Sequence, residues 1–126
     1  MELEGFEVFD FSEGVPYASI TKNGVSFNSA AIKKLGSPAF VRLLINYNTK
    51  QFAVQSCDGS TEKAVRFFKE KKSGVISVRW NGRDLLNNLS ELMKWNLSLE
   101  SFRVEGSLLK EMNAMVFDLN AAKRLD

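Results

Sequence analysis

Residues 40–55 read FVRLLINYNTKQFAVQ and contain a strong strand pattern. The first seven residues are rich in aromatic and branched apolar side chains, which favour a strand over 40–46. The next four, Tyr-Asn-Thr-Lys, have the composition of a turn. In residues 51–55 the apolar side chains of Phe52 and Val54 alternate with their neighbours and share one face. We therefore predict two strands joined by a turn at 47–50.

A second turn signal lies upstream, at Asn23-Gly24. The stretches on both sides of it, 18–21 and 25–28, alternate as strands do. Asn-Gly accepts positive φ at low cost, so it marks either a tight hairpin or a bulge within one continuous strand.

Three helices are predicted from apolar spacing and end signals. A short helix begins after Asn28 or Ser29, either of which can cap it, and ends at Gly36. A second helix is expected over 61–72, because its apolar residues recur on one helical face and three lysines follow at its carboxyl end. A third begins near Asp84, where five apolar residues follow helical spacing.

The order of these elements suggests an internal repeat. Residues 18–57 and 75–120 both read strand, short helix, strand, turn, strand. We therefore predict an α+β fold, a single domain over 1–126 with antiparallel sheets and a barrel-like core. Two strand-helix-strand-strand pseudo-repeats would build it, joined by the connector helix 61–72, and two such units could share one core. An unrelated antiparallel sheet with two or three helices is the alternative.

Composition excludes several classes of function. The chain has 126 residues, no histidine and one cysteine, so Ser-His and Cys-His catalytic pairs, histidine-containing zinc sites and internal disulfides are absent. We expect no enzyme activity, no cofactor and no metal site. Neither a secretory signal nor an apolar run of membrane-spanning length is present, so we expect a cytoplasmic protein without membrane association.

The small net charge hides an uneven distribution. Residues 1–20 carry five acidic side chains and no basic ones, whereas residues 21–83 carry 12 basic and 3 acidic side chains. Residues 84–126 are net acidic, with 5 basic and 7 acidic side chains. The basic middle segment would attract a polyanion if its cations folded onto one face, and otherwise it is a set of dispersed, solvated lysines and arginines.

Part of the first half resembles a known family. About 35 to 40 residues look like the AbrB/SpoVT swapped-hairpin domain, on the motifs Asn23-Gly24-Val25-Ser26-Phe27, Ala31, Lys34-Leu35-Gly36, Val41 and Phe52-Ala53-Val54-Gln55. A weaker second copy spans about 75–120. Members of that family are usually homodimeric DNA-binding regulators or antitoxins. The resemblance implies a fused, single-chain version of a dimeric barrel.

The chain also departs from the family pattern. Val25 stands where the family commonly has arginine after the glycine, and Phe27-Asn28 stands where it commonly has Ile-Pro. The missing arginine is the residue type best suited to phosphate and base contacts. Arg83 does follow the second Asn-Gly pair directly, although there the glycine comes after the strand.

These observations lead us to expect a small, non-enzymatic DNA-binding regulator that contacts phosphates through the basic middle segment. The candidate DNA-binding residues are Lys22, Lys33, Lys34, Arg42, Arg79 and Arg83. Each of them could instead be an ordinary surface cation. Trp80 and Trp95 could stack on the bases of a single strand, but a core or rim position is the better interpretation.

The expected partner is therefore double-stranded DNA. The alternative is a protein–protein interaction or scaffold module, such as a phage might encode, with a protein partner or self-association through an exposed sheet edge. The aromatic and acidic residues 6–11 read as a strand that could serve as such a pairing arm.

Overall fold

Short antiparallel strands are the main element of the computed structural model, which describes residues 3–6 and 14–125. The described residues form nine strands: β1 (Tyr17–Thr21), β2 (Gly24–Phe27), β3 (Phe40–Asn46), β4 (Gln51–Cys57), β5 (Val65–Arg66), β6 (Val78–Trp80), β7 (Ser101–Leu109), β8 (Ala114–Asp118) and β9 (Lys123–Leu125). They also form helices α1 (Ser29–Lys34) and α2 (Arg83–Met93) and single 3-10 turns at Lys110–Met112 and Leu119–Ala121. The pairing arm expected at 6–11 lies outside the described residues except for Phe6.

The strands form one strongly curved sheet in the order β5-β3-β4-β8-β7-β1-β2-β6, and β9 pairs with β7. Every ladder is antiparallel. The long strand β7 connects the two halves of the sheet, because residues 102–105 pair with β1 and residues 106–109 pair with β8. Gly106 lies where β7 passes from one half to the other. A Cβ there would lie 2.7 Å from the sulfur of Met115, so the glycine lets β7 cross close to the core.

The expected α+β fold with two strand-helix-strand-strand pseudo-repeats is wrong. The structure is a predominantly β half-barrel, and its described residues form nine strands but only two α-helices. Segments 18–57 and 75–120 interleave, since β2 pairs with β6 and β4 pairs with β8. The two segments therefore belong to one sheet, and the single domain over 1–126 stays a prediction.

The connector helix expected at 61–72 is also wrong. In its place the chain is irregular apart from the two residues of β5, which pair with β3. The amides of Phe67 and Phe68 donate to the carbonyls of Ala39 and Pro38, at 2.8 and 3.0 Å. Tertiary hydrogen bonds therefore take the donors that a helix would need, and the Phe67 ring is buried.

The β1–β2 connection is a hairpin rather than a bulge. Thr21 pairs with Gly24 across the two-residue turn Lys22-Asn23. Gly24 has φ +139°, and a Cβ on it would lie 2.4 Å from the carbonyl oxygen of Trp80 on β6. Only glycine allows the backbones of β2 and β6 to approach this closely. The β1–β2 turn thus determines how β6 joins the sheet.

An aromatic cluster fills the centre of the core. The Phe27 ring packs edge-on against Phe67, Trp80 and Phe117, with centroids 5.3, 5.1 and 5.7 Å away. Phe52 stacks on Phe117 at 4.7 Å. These rings come from β2, β4, β6, β8 and the residue after β5, so the cluster joins both halves of the sheet.

The two ends of the strand order meet through a side chain. The structure shows no backbone ladder between the described residues of β5 and β6. Instead, the Trp80 indole nitrogen Nε1 donates to the carbonyl of Arg66 at 3.3 Å, and the Trp80 ring lies edge-on to Phe67. Trp80 therefore links β6 to β5, the strands at the two ends of the sheet.

We expect Gly24→Ala to lower the free energy of unfolding by about 2 kcal/mol or more, because the new Cβ meets the Trp80 carbonyl at a strained φ. Gly82→Ala is the control, since nothing lies within 4 Å of its added Cβ, and it should cost about 1 kcal/mol at most. Denaturant unfolding measures both variants. Equal losses would contradict the close β2–β6 approach.

We expect Trp80→Phe to loosen the β5 end of the sheet selectively. The variant keeps an aromatic ring beside Phe27 but removes the indole N–H, a loss of about 1 kcal/mol. Hydrogen–deuterium exchange should accelerate in peptides covering 64–68 and stay unchanged in those covering β4. Unchanged exchange at 64–68 would show that the indole does not hold this edge.

Candidate functional site

Strand alternation divides the side chains of β6, β2, β1 and β7 between two faces. Val78, Phe27, Ile20 and Val104 are buried and face the core. Their strand neighbours point to the opposite, outer face of the sheet. This outer face carries polar and small side chains. The same strands therefore have an apolar face toward the core and a polar face away from it.

Register aligns three cations across this outer face. Arg79 lies opposite Ser26, Ser26 opposite Ser19, Ser19 opposite Arg103, and Arg103 opposite Lys123. We call these five residues the basic row. At the usual spacing between strands, Arg79 and Arg103 are about 14 Å apart, and Lys123 is about 5 Å further on. The short side chains of Ser26 and Ser19, which we call the serine floor, lie between the two long arginine side chains.

The cations of the basic row remain available for a ligand. The guanidinium of Arg103 lies over the Tyr17 ring, 4.0 Å from its centroid, a contact that leaves its N–H donors unused. Across residues 3–6 and 14–125, no ion pair engages Arg79 or Lys123. The nearest acidic position by register is Glu105, opposite Tyr17 and two residues from Arg103 on the same face.

The structure brings three of the six predicted DNA-binding residues to this region. Arg79 is part of the basic row. Lys22, in the β1–β2 turn, and Arg83, the first residue of α2, line a groove of about 550 Å³ at the Thr21 end of the same strands. Lys22 and Arg83 are both exposed.

The other three predicted residues lie elsewhere. Lys33 and Lys34 occupy the last turn of α1, where Lys33 is exposed and Lys34 is half-buried. Arg42 lies on β3, in the other half of the sheet. Its Nη2 donates to Oε1 of Gln55 at 2.6 Å, and Gln55 in turn donates to the carbonyl of Met112. Arg42 is therefore held against the sheet by its neighbours.

Two residues of the basic row, Arg103 and Lys123, were missed by the sequence reasoning. They belong to the net acidic segment 84–126, so a count of charge along the chain does not single them out. The alternation Phe102-Arg103-Val104 does contain a signal, because it places Arg103 opposite in direction to two buried side chains. No local signal marks Lys123, because β9 is aligned by its pairing with β7.

Both tryptophans have aromatic partners within the protein. Trp80 belongs to the core cluster described above. Trp95 stacks face-to-face on Phe102, with centroids 3.9 Å apart and planes 12° apart. Trp95 also lines the groove that holds Lys22 and Arg83. One face of this indole is therefore packed, and the residue is half-buried at the groove.

A short apolar row lies on the outer face of the other half of the sheet. Leu44 lies opposite Ala53, and Ala53 opposite Val116, on the side of β3, β4 and β8 that faces away from the core. Leu44 is 42% exposed, and Tyr47 in the β3–β4 turn is 55% exposed. They line a shallow groove of about 510 Å³.

The part of the chain that the structure describes has few groupings of metal-binding or nucleophilic side chains. No group of three or more Cys, Asp or Glu side chains there is arranged to hold a metal ion. Cys57 is a free, half-buried thiol at the end of β4. No helix in the described ranges is long and apolar enough to cross a membrane.

Comparisons of the chain with protein-family models, with curated proteins and with solved structures find no match.

Proposed function

We propose that the protein is a small DNA-binding regulator that holds duplex phosphates on the outer face of β6, β2, β1, β7 and β9. The observation that carries this proposal is the basic row, in which Arg79, Arg103 and Lys123 lie in line on one face. Phosphate contacts supply most of the sequence-independent affinity for DNA. The proposal includes a cytoplasmic location.

The spacing of the row supports a duplex as the ligand. Arg79 and Arg103 are about 14 Å apart across the serine floor, and the major groove of B-DNA is about 12 Å wide. Long arginine side chains at that separation can each reach a phosphate on opposite sides of one groove. Their planar guanidinium groups suit bidentate phosphate contacts.

The short side chains of the serine floor favour contacts with the DNA sugar–phosphate backbone over contacts with the bases. Ser19 and Ser26 are short and half-buried, so they cannot reach deep into a groove, although their hydroxyls can donate to phosphate oxygens. Arginines that stay at the phosphate level position a protein on DNA without reading its sequence. We therefore propose that affinity is high in low salt and that discrimination between sequences is weak.

The AbrB/SpoVT resemblance of residues 18–57 agrees with this function and stays a prediction. A protein–protein interaction module is the other expected class, and it also stays a prediction. That alternative is expected to use an exposed sheet edge, and a second candidate surface for it is the short apolar row of exposed Leu44 and half-buried Ala53 and Val116, on the other half of the sheet. The two functions therefore predict contacts on different surfaces.

Fluorescence anisotropy with a labelled random-sequence duplex of 20 base pairs tests the proposal. We expect binding that weakens steeply with salt, and Arg79→Gln or Lys123→Gln should each weaken it about three- to tenfold. Each substitution should also reduce the slope of log K against log salt by about one, because one phosphate contact is lost.

Lys33→Gln is the matched control, because it removes the same charge from an exposed site on α1, outside the basic row. It should leave both the affinity and the salt slope nearly unchanged. No binding by the unsubstituted protein at 50 mM salt, or equal losses in all three variants, would contradict the proposal.

A further inference from the structure

A separate groove opens beside the end of the β1–β2 hairpin. Three parts of the chain build it: the β1–β2 turn with Lys22, the exposed face of α2 with Arg83 and Asn87, and the loop 95–98 with Trp95, Asn96 and Leu97. Arg83 and Asn87 are four residues apart, so helical geometry puts them on one face. The groove has a volume of about 550 Å³, within the range of small-molecule sites.

The charged groups of this groove are all cations. Lys22 and Arg83 line it, and no carboxylate does. The structure shows no ion pair to either residue within 3–6 and 14–125. This lining therefore favours a ligand that carries negative charge.

The loop 95–98 adds a fixed hydrogen-bond donor. The side-chain oxygen Oδ1 of Asn96 accepts from the amide of Ser98 at 3.1 Å, and the backbone of Asn96 is bonded to Glu100 at both its N–H and its C=O. Because this oxygen already accepts a hydrogen bond, the NH₂ group of the Asn96 side chain is the part that can donate to a ligand. The loop is held in place before any ligand arrives.

The same groove has an apolar wall that suits a planar group. Trp95 is held by its stack on Phe102, so its orientation is set by the core. Leu97 beside it is buried. A pinned indole next to cations and amide donors is a combination that binds a flat, hydrogen-bonding ring with an attached anion.

From these features we infer that the groove binds a nucleoside phosphate, with the phosphate at Lys22 and Arg83 and the base against Trp95. The inference does not depend on the basic row, since none of its residues lines the groove. The nucleoside phosphate can be a free nucleotide or one unpaired nucleotide of a strand, and both present the same chemistry.

The test follows the indole N–H resonance of Trp95 in ¹H–¹⁵N spectra of the full chain. The probes are AMP, adenosine, inorganic phosphate and a five-nucleotide single-stranded oligonucleotide. We expect a saturable Trp95 shift with AMP or with the oligonucleotide, and binding at least tenfold weaker for adenosine and for phosphate. The Trp80 indole, which is bonded to Arg66, should stay in place as an internal control.

Variants separate the groove from general electrostatics. Arg83→Gln and Asn87→Ala, both at exposed positions of α2, should each weaken the nucleotide at least fivefold, and Lys33→Gln should not change it. A response to AMP identifies a free nucleotide, and a response to the oligonucleotide alone identifies a strand.

Two results would overturn the inference. One is the absence of any Trp95 shift with either nucleotide probe at millimolar concentration. The other is an equal response to inorganic phosphate, which would mean that the groove holds an anion and no base. Neither result depends on duplex binding, so a failure here is distinct from a failure of the proposed function.

Discussion

The packing of the Phe27 ring is the contact on which the rest of the structure depends. Phe27 touches Phe67, Trp80 and Phe117, and through them it joins both halves of the sheet and the segment after β5. It is 3% exposed, and truncating such a buried ring to alanine costs about 3–5 kcal/mol, a large part of the stability of a small domain. The cluster also positions Trp80, whose indole hydrogen bond to Arg66 joins β5 and β6 at the two ends of the half-barrel.

The arrangement of the core also determines the outer surface. Every core residue on a strand fixes its neighbours on the opposite face, so burying Phe27, Ile20 and Val104 turns Ser26, Ser19 and Arg103 outward. Cations that are far apart in sequence, at 79, 103 and 123, become neighbours because β6, β7 and β9 belong to one sheet. The surface that we propose for DNA is therefore a consequence of strand order.

Much of the local structure could be predicted because short-range patterns determine it. The strands at 40–46 and 51–55 and the helix after Asn28 follow from alternation, turn residues and a cap, and Asn28 Oδ1 indeed accepts from the amide of Ala31. The helix at 61–72 could not be excluded locally. Its apolar spacing suits a helix. What prevents the helix is tertiary, because the amides of Phe67 and Phe68 donate to the distant carbonyls of Ala39 and Pro38.

The candidate site divides in the same way. Arg79 was predicted because it lies in a basic segment, and Arg83 because it follows Asn-Gly, both of which are local features. Their grouping with Arg103 requires the pairing of β1 with β7, whose partners lie more than 80 residues apart, and Lys123 joins them through the pairing of β7 with β9. Charge counted along the chain cannot reveal a surface that is assembled across strands.

The most direct test of this account is a map of duplex-induced chemical-shift changes over the assigned backbone amides. The account predicts that the largest changes cluster at residues 19, 26, 79, 103 and 123, which share one row although they are scattered in sequence. Changes concentrated on α1 around Lys33, or on β3 around Arg42, would contradict it, because those positions lie outside the basic row.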